Sequence, residues 1–518
     1  MAGRRAGRAG WREWSGVGLL ALPTMLLGLD VTVLYLVLPR LAADLEPTAA
    51  ESLWIMDAYG FFIAGFLITM GTLGDRIGRR RLLVIGVVAF GAVSVLAAFA
   101  PSAGWLIAAR ALLGVAGATL MPSTLSLISN MFADARDRAV AIGVWATMFA
   151  LGMAAGPVVG GALIAHLWWG AAFLIAVPVA VLVAAGAPWL LPEFRTRDAG
   201  RFDLPSVGLS LAAILPAVYA VKHAAGHGLD AQTLLAVVLA AGAAVVFVRR
   251  QLRLEAPLLD MRLFADRAFS AALSVLLVGL VGVGGVMFMV TQYLQLVEGL
   301  SPTAAGLLMG PPALAMLVAA IGAPLLARVV PPGTVMAGTL AVSLLGYALL
   351  ALAGTGSTPS VVVGFAFVYL GLGAIAALGT DIVVGAAPPE KSGSAAALSE
   401  TVQELGVAAG VALLGSLTTA VYRAAVEAPA GLSAAAAAAF TDSLSGALSV
   451  ADLLPADALG HAQAAFTGGL NTASVVAGTA IAAASVVCFT TLRHVRPISG
   501  AAPEPESVAS THGRGDGH

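Results

Sequence analysis

Fourteen stretches of about twenty apolar residues, divided by short polar turns, leave this chain one environment in which to fold. A helix crossing a bilayer needs about 20 such residues. The first six runs fall at about 16–38, 52–73, 82–100, 105–128, 139–165 and 168–191. Two follow at about 204–223 and 231–248, and six more at about 268–294, 302–328, 333–353, 360–385, 395–421 and 470–492. Backbone groups in hydrocarbon must pair within their own segment, so runs of this length read as helices and the class as an all-α membrane protein. The chain is only 11% charged, less than half of the ~25% typical of soluble domains. Its net charge of −1 gives no basic field for nucleic acid. Its single cysteine, Cys488, excludes an internal disulfide and a cysteine metal cluster.

Orientation follows from the positive charges. Of the 27 arginines and lysines, 23 fall in the N-terminal tail or in every second loop. Arg40, Lys222 and Arg423 fall on the other side, and Arg110 lies inside a run. Cytoplasmic loops carry the basic excess, so both termini are expected in the cytoplasm and the number of crossings is even. Residues 1–14 lack a small-residue cleavage site and read as a cytoplasmic tail rather than a signal peptide. The polar stretch 422–469 reads as an outside loop, with a short surface helix expected over 433–448. The Pro/Gly/Ser-rich tail 493–518 reads as disordered.

A weak internal repeat divides the chain. Pro47-Thr-Ala-Ala50 precedes the second run and Pro302-Thr-Ala-Ala305 opens the tenth. Each is the second run of a group of six, which gives a 6+2+6 plan. The expected units are a first bundle over 15–191, a linker with an inserted helix pair over 192–266, and a second bundle over 267–492.

The turn Gly71-Thr-Leu-Gly-Asp-Arg-Ile-Gly-Arg-Arg-Arg81 is basic and punctuated by Gly71, Gly74 and Gly78, which let the backbone turn sharply. Asp75, Arg76 and Arg79 can pair with neighbouring helix ends. Its pattern, G-x-L-G-D-R-x-G-R-R, resembles the loop between the second and third helices of major facilitator superfamily transporters. In the fifth run, Gly152, Gly156, Gly160 and Gly161 make a flat face and Pro157 bends the helix. G-x-x-x-G-P-x-x-G-G at this place resembles the motif associated with the superfamily's antiporters. The following run matches only in part: Gly170 and Ala176 stand where the family usually has arginine and asparagine.

Ionisable residues inside spans are costly and are functional candidates by default. This chain has Asp30, Asp57, Arg110, Asp381, Glu400 and Glu404. Asp30 lies about 21 Å along the first run at the usual helical rise. Its setting, Leu29-Asp-Val-Thr-Val33, resembles the first helix of the fourteen-helix drug:proton antiporter family; it reads equally as a structural carboxylate bonded to Arg110. Arg110, in R-x-x-x-G-x-x-G with Gly114 and Gly117, resembles the superfamily's fourth-helix motif, linked there to proton transfer; the alternative is a purely structural ion pair. Asp57 stands between Trp54 and Tyr59, a setting that suits an organic cation through charge and aromatic faces, or else an interfacial aromatic belt. Glu400 and Glu404 are four apart, hence on one helix face. Two such carboxylates resist ionising together, which makes a proton carrier or a doubly negative cation site. The quaternary-ammonium and dye exporters of the family have an acidic pair of the same spacing; wetted acids in a vestibule are the alternative. Asp381, near the inner end of its run, reads as an interfacial or gate residue.

The resemblance implies the major facilitator fold with 14 helices and a proton-coupled antiporter in the cell membrane. It would export hydrophobic, cationic drugs, dyes or antibiotics by alternating access; a narrow exporter of an endogenous metabolite or self-made antibiotic is the alternative. Proton coupling would fall to Asp30, Arg110, Glu400 and Glu404, and substrate binding to Asp57, Trp54, Tyr59 and Glu404. No cofactor, metal or nucleic acid is expected, the proton gradient is the energy source, and the protein is expected to be a monomer. No convergent nucleophile or histidine cluster lies deep in the runs, so an enzyme is not expected. The charge asymmetry makes a direct prediction for intact cells. Tags at the N-terminus and at Arg201 should be shielded from outside reagents, and a tag at Asp442 should be labelled. Labelling at Arg201 would break the fourteen-crossing plan.

Overall fold

The computed structural model describes residues 10–495 apart from 48, 196–202, 228–229, 255–256, 389–391 and 456. Among the described residues the chain is helical throughout. Six long helices come first: α1 (Trp11–Leu45), α2 (Ala49–Ile77), α3 (Arg79–Ala98), α4 (Ala103–Met131), α5 (Ala135–His166) and α6 (Ala171–Leu190). A hairpin follows, α7 (Leu204–His227) and α8 (Ala231–Gln251). Then come α9 (Arg267–Gln292), α10 (Thr303–Leu326), α11 (Pro332–Ala351), α12 (Thr358–Gly385) and α13 (Ser392–Ala425). Two short helices, α14 (Ala434–Asp442) and α15 (Leu444–Ser449), precede the long α16 (Ala458–Leu492). Thirteen of the described helices are long and apolar enough to cross a membrane.

Packing repeats along the chain. Within the first six helices, α1 lies against α5, α2 and α3 against α4, and α3 against α6. Within the last six long helices, α9 lies against α13, α10 and α11 against α12, and α11 against α16. The two groups meet in reciprocal fashion, α2 on α13 and α5 on α10.

Glycine sets the closest of these contacts. A methyl group added at Gly152 would lie 2.1 Å from the Met25 carbonyl oxygen, and one at Gly28 would lie 2.1 Å from that of Phe149. The same device recurs between α9 and α13, where a methyl at Gly410 would lie 2.1 Å from the Val281 carbonyl oxygen. Backbones this close gain dispersion contact that hydrocarbon tails cannot supply, which is how helices associate in lipid.

The hairpin α7–α8 covers the α2–α13 seam. Ile214 and Val218 pack with Ala64 and Ile68 of α2 and with Leu398 of α13. Its lower end is pinned by polar contacts. Gln251 donates to Ser206 (2.7 Å) and accepts from the Leu258 and Leu259 amides (2.7 and 3.2 Å). Arg250 forks onto Asp203 at 2.9 and 3.0 Å, which holds that carboxyl below the usual range.

Several boundaries differ from those read by hydropathy. The last long helix starts at Ala458 rather than near 470, so the segment between α13 and α16 is shorter than the expected 422–469 loop. Its extra turns are too polar to count as a span, but they are held by protein: Gln463 donates to the carbonyls of Leu296 and Val297. The expected surface helix is two helices, capped by Ser433 and Ser443. They dock on protein through the Tyr422 hydroxyl, which donates to the Phe440 carbonyl at 2.8 Å. The tenth run is broken at Met309, just before Pro311 and Pro312. The tails expected at 1–14 and 493–518 lie mostly outside the described residues, as does Lys391.

Gly410→Val should lower the thermal midpoint of the protein in detergent, by the ~1–3 kcal/mol that overpacking costs. Gly338→Ala, with nothing within 4 Å of the added methyl, should not. Equal midpoints for wild type and Gly410→Val would show that the seam has room to spare.

Candidate functional site

Arg110 fixes the site. It is 1% exposed, inside α4, and an arginine cannot shed its charge. Its Nη1 donates to Asp30 Oδ2 of α1 at 2.5 Å, and its Nε donates to the Ile55 carbonyl of α2 at 3.1 Å. Its guanidinium carbon stands 4.6 Å from the centroid of the Tyr59 ring. Asp30 is 7% exposed, so the pair is shut away from water on both sides. α2 comes this near because α4 has no side chain at Gly114, where a methyl would lie 2.5 Å from the Tyr59 carbonyl oxygen. The glycines of R-x-x-x-G-x-x-G thus serve the arginine by bringing its acceptor and its aromatic face within reach.

The second group of helices faces this pair through α13. Glu400 is 2% exposed and accepts from Gln403 Nε2 at 3.1 Å. Glu404 lies one turn on, about 18 Å along α13 from Ser392 at the usual rise. The two carboxylates share one face of α13. Three of the residues singled out by sequence, Asp30, Tyr59 and Arg110, therefore meet in one buried cluster of the first group, and α13, which carries Glu400 and Glu404, packs against α4 beside it.

Trp54 does not join them. It is exposed, and its ring meets Phe61 edge-on at 5.9 Å. Phe61 lines a groove with Leu215, Pro216 and Tyr219 of α7, on a different face of α2 from Tyr59. The side chain of Asp57 lies outside the described residues, as do those of Pro157 and Gly161.

The end of the molecule that carries the basic turn is drawn together. Arg79, 1% exposed, pairs with Asp75, and its amide donates to the Phe194 carbonyl at 2.9 Å. Gly78 has φ +111°, and a methyl there would meet Glu193 at 2.5 Å, so the turn admits only glycine. A methyl at Gly74 would lie 2.5 Å from Arg79 Nη1. Gly71 is buried, and Arg76 closes the last turn of α2. Across the groups, Ser394 of α13 donates to Asp75 at 3.4 Å. Asn130 of α4 donates to Ser392 at 3.1 Å, and Arg138 of α5 donates to Asp381 of α12 at 2.7 Å. On α5, Gly152 and Gly156 face α1, where Thr32 donates to the Met153 carbonyl at 2.9 Å; Gly160 is buried.

Sequence reasoning passed over Arg138, Ser392 and the mirrored glycines of α9 and α13. Arg138 was counted only as a loop charge, and Gly284, Gly285, Gly406 and Gly410 stood as ordinary members of a glycine-rich chain. Small-xxx-small spacing in the thirteenth run marks Gly406 and Gly410, whereas Gly284 and Gly285 of the ninth have only large residues four away.

The Major Facilitator Superfamily model matches residues 20–411. The chain is 43% identical to the multidrug efflux pump LfrA of Mycolicibacterium smegmatis, over 92% of this chain and 95% of the relative. It is 36% identical to the methyl viologen resistance protein SmvA of Salmonella typhimurium, over 86% and 90%. Among solved structures, the human organic anion transporter MFSD10 (TETRAN) superposes with a TM-score of 0.59 at 14% identity, over 90% of this chain and 99% of that one.

The Arg138–Asp381 pair generates a test of what holds the basic end closed. Spin labels at Ala133 and Ala386 should report a longer distance distribution in Arg138→Ala. The charge swap Arg138→Asp with Asp381→Arg should restore the short one. An unchanged distribution in Arg138→Ala would remove the pair from that role.

Proposed function

From the membership of this chain in the Major Facilitator Superfamily, a family of multi-pass membrane transporters, we propose that it exports hydrophobic, cationic compounds in exchange for protons. The relatives named as multidrug and methyl viologen resistance proteins support export of such compounds. Fourteen helices in a 6+2+6 order would cross the membrane, with both termini and the basic turn in the cytoplasm. Residues 15–191 and 267–492 would form the rocking bundles, and 192–266 the inserted pair. The bonds that draw the basic end together then make this an outward-facing state.

One observation carries the proton coupling. A water-excluded Asp30–Arg110 pair stands beside Tyr59, and the helix of the other bundle that carries Glu400 and Glu404 packs against α2 and α4. A carboxylate in such a place holds a proton or a cation, and the guanidinium competes with both. Glu400 and Glu404, one turn apart in low dielectric, resist carrying two charges at once unless a cation lies between them. Protonation at these acids from outside and deprotonation inside would drive the cycle; the bound cation would replace the proton on the way out.

Tetraphenylphosphonium added to purified, weakly buffered protein should release protons. The combined Asp30→Asn, Glu400→Gln, Glu404→Gln variant should release at least tenfold fewer. Undiminished release from that variant would take the coupling away from these acids.

A further inference from the structure

The end of α6 gathers more positive charge than the fold uses. Its last carbonyls are capped from both sides. Arg12 of α1 donates to the Trp189 carbonyl at 2.7 Å, and Arg80 of α3 donates to that of Leu191 at 3.1 Å. Orphaned carbonyls at a helix C-terminus attract such cations. Glu193, just beyond, accepts from the Arg80 amide at 3.1 Å. Arg81 is left over. It stands 3.8 Å from Glu193, a carboxylate already shared with the Arg80 side chain at 3.7 Å, and its own side chain is 65% exposed. Arg195 is exposed as well. Four arginines at this corner thus answer to two carboxylates, Glu193 and Glu13, and Glu13 is engaged with the Gly10 amide at 2.9 Å. Asp75 and Arg79 alongside are paired with each other.

The surface leading to the corner is apolar. On α3, Ile85 and Val88 follow Arg81 along one exposed face. On α6, Leu182 and Ala185 lead to Trp189, which is 78% exposed. In a helix that crosses a membrane such faces meet acyl chains. Arg81 and Trp189 therefore stand where chains give way to headgroups. Tryptophan is enriched at that boundary, and an arginine there lays its stem on hydrocarbon and its charge in the polar layer. We propose that the corner made by α1, α3 and the end of α6 binds the headgroup of an anionic phospholipid. Arg81 and Arg12 hold the phosphodiester by charge-assisted hydrogen bonds, and Trp189 and the two apolar stripes take the glycerol and the chains. The excess of guanidinium over carboxylate selects against a headgroup that carries its own cation. The site is the same whatever the protein exports: Asp30 lies about 27 Å along α1 from Arg12 at the usual rise.

Phosphatidylglycerol brominated on its acyl chains quenches a tryptophan that it touches. Titrated into the full-length protein in neutral detergent, it should bind at least about fivefold more tightly than brominated phosphatidylcholine. Trp189→Phe should lose part of the quenched signal; quenching identical to wild type would place the lipid elsewhere and overturn the site. Arg81→Gln and Arg12→Gln should each weaken phosphatidylglycerol about fivefold and leave phosphatidylcholine unaffected. Arg81 caps no helix, so its variant carries the test even where Arg12→Gln fails to fold. Glu193→Gln, which removes the competing carboxylate, should tighten binding. The pair Arg249→Gln and Arg253→Gln, exposed arginines of the hairpin, should change nothing. Equal affinity of the wild type for the two lipids would overturn the site. So would an equal loss from the hairpin pair, which marks a general charge effect. Displacement of the lipid by inorganic phosphate at the same concentration would overturn a phospholipid as the occupant.

Discussion

An arginine held in hydrocarbon is the constraint from which the first six helices take their arrangement. Placing its charge mid-span costs at least ~2.5–3.5 kcal/mol even by the mildest scale. Arg110 offsets that cost with three partners drawn from two other helices: Asp30 of α1, and the Ile55 carbonyl and Tyr59 ring of α2. Each partner requires its helix to lie close to α4 at one depth. α2 can do so only past Gly114, and α1 is steadied from behind by α5 through Gly28 and Gly152. Removing either acid or base alone would leave a buried charge uncompensated, which is far costlier than never having had the pair. The ion pair thus ties the choice of small residues on three helices to one chemical centre.

The two groups of helices share a packing plan and differ in chemistry. The contact of α1 with α5 is matched by that of α9 with α13, down to glycine meeting carbonyl oxygen in both. In the first group the buried pair spans α1 and α4; in the second, the acids stand on α13, the helix that crosses the seam to α2. Under the proposed exchange, the matched scaffold would let the groups swing as comparable bodies, and the unmatched chemistry would set Glu404 and the Asp30–Arg110 pair on opposite sides of the moving seam.

Much of this was legible in the sequence, for physical reasons. Spans show because hydrocarbon enforces length and apolarity, and Arg110 shows because a charge there is so costly. The pairing of Asp30 with Arg110 was open as one of two readings, since sequence separation says nothing of which helices touch. The grouping of Trp54 with Tyr59 around Asp57 relied on adjacency along the chain. Five residues turn a helix by well over a third of a circle, so Trp54 goes with Phe61 and Tyr59 with Arg110. The outer turns of α16 were missed because hydropathy measures fitness for lipid, whereas Gln463 is held by the carbonyls of Leu296 and Val297, just beyond α9. The second glycine seam was hidden by abundance: with 60 glycines in the chain, composition masks position.

The placing of the hairpin follows from the same asymmetry. Two seams join the groups, yet the α7–α8 hairpin covers only α2–α13. The α5–α10 seam needs no cover: Gly143 brings backbones so close that a methyl there would lie 2.0 Å from the Ala320 carbonyl oxygen. The α2–α13 seam is the one whose second helix carries the acids Glu400 and Glu404. Ile214, Val218 and their neighbours fill that side with apolar bulk between Ile68 and Leu398. The hairpin is fastened at the basic end by Gln251, Leu258 and Leu259, the latter two packing with Phe269 and Leu273 of α9. Fastened there beside α9 and resting on α2 through Ala64 and Ile68, the hairpin ties the inserted segment to the seam that carries Glu400 and Glu404.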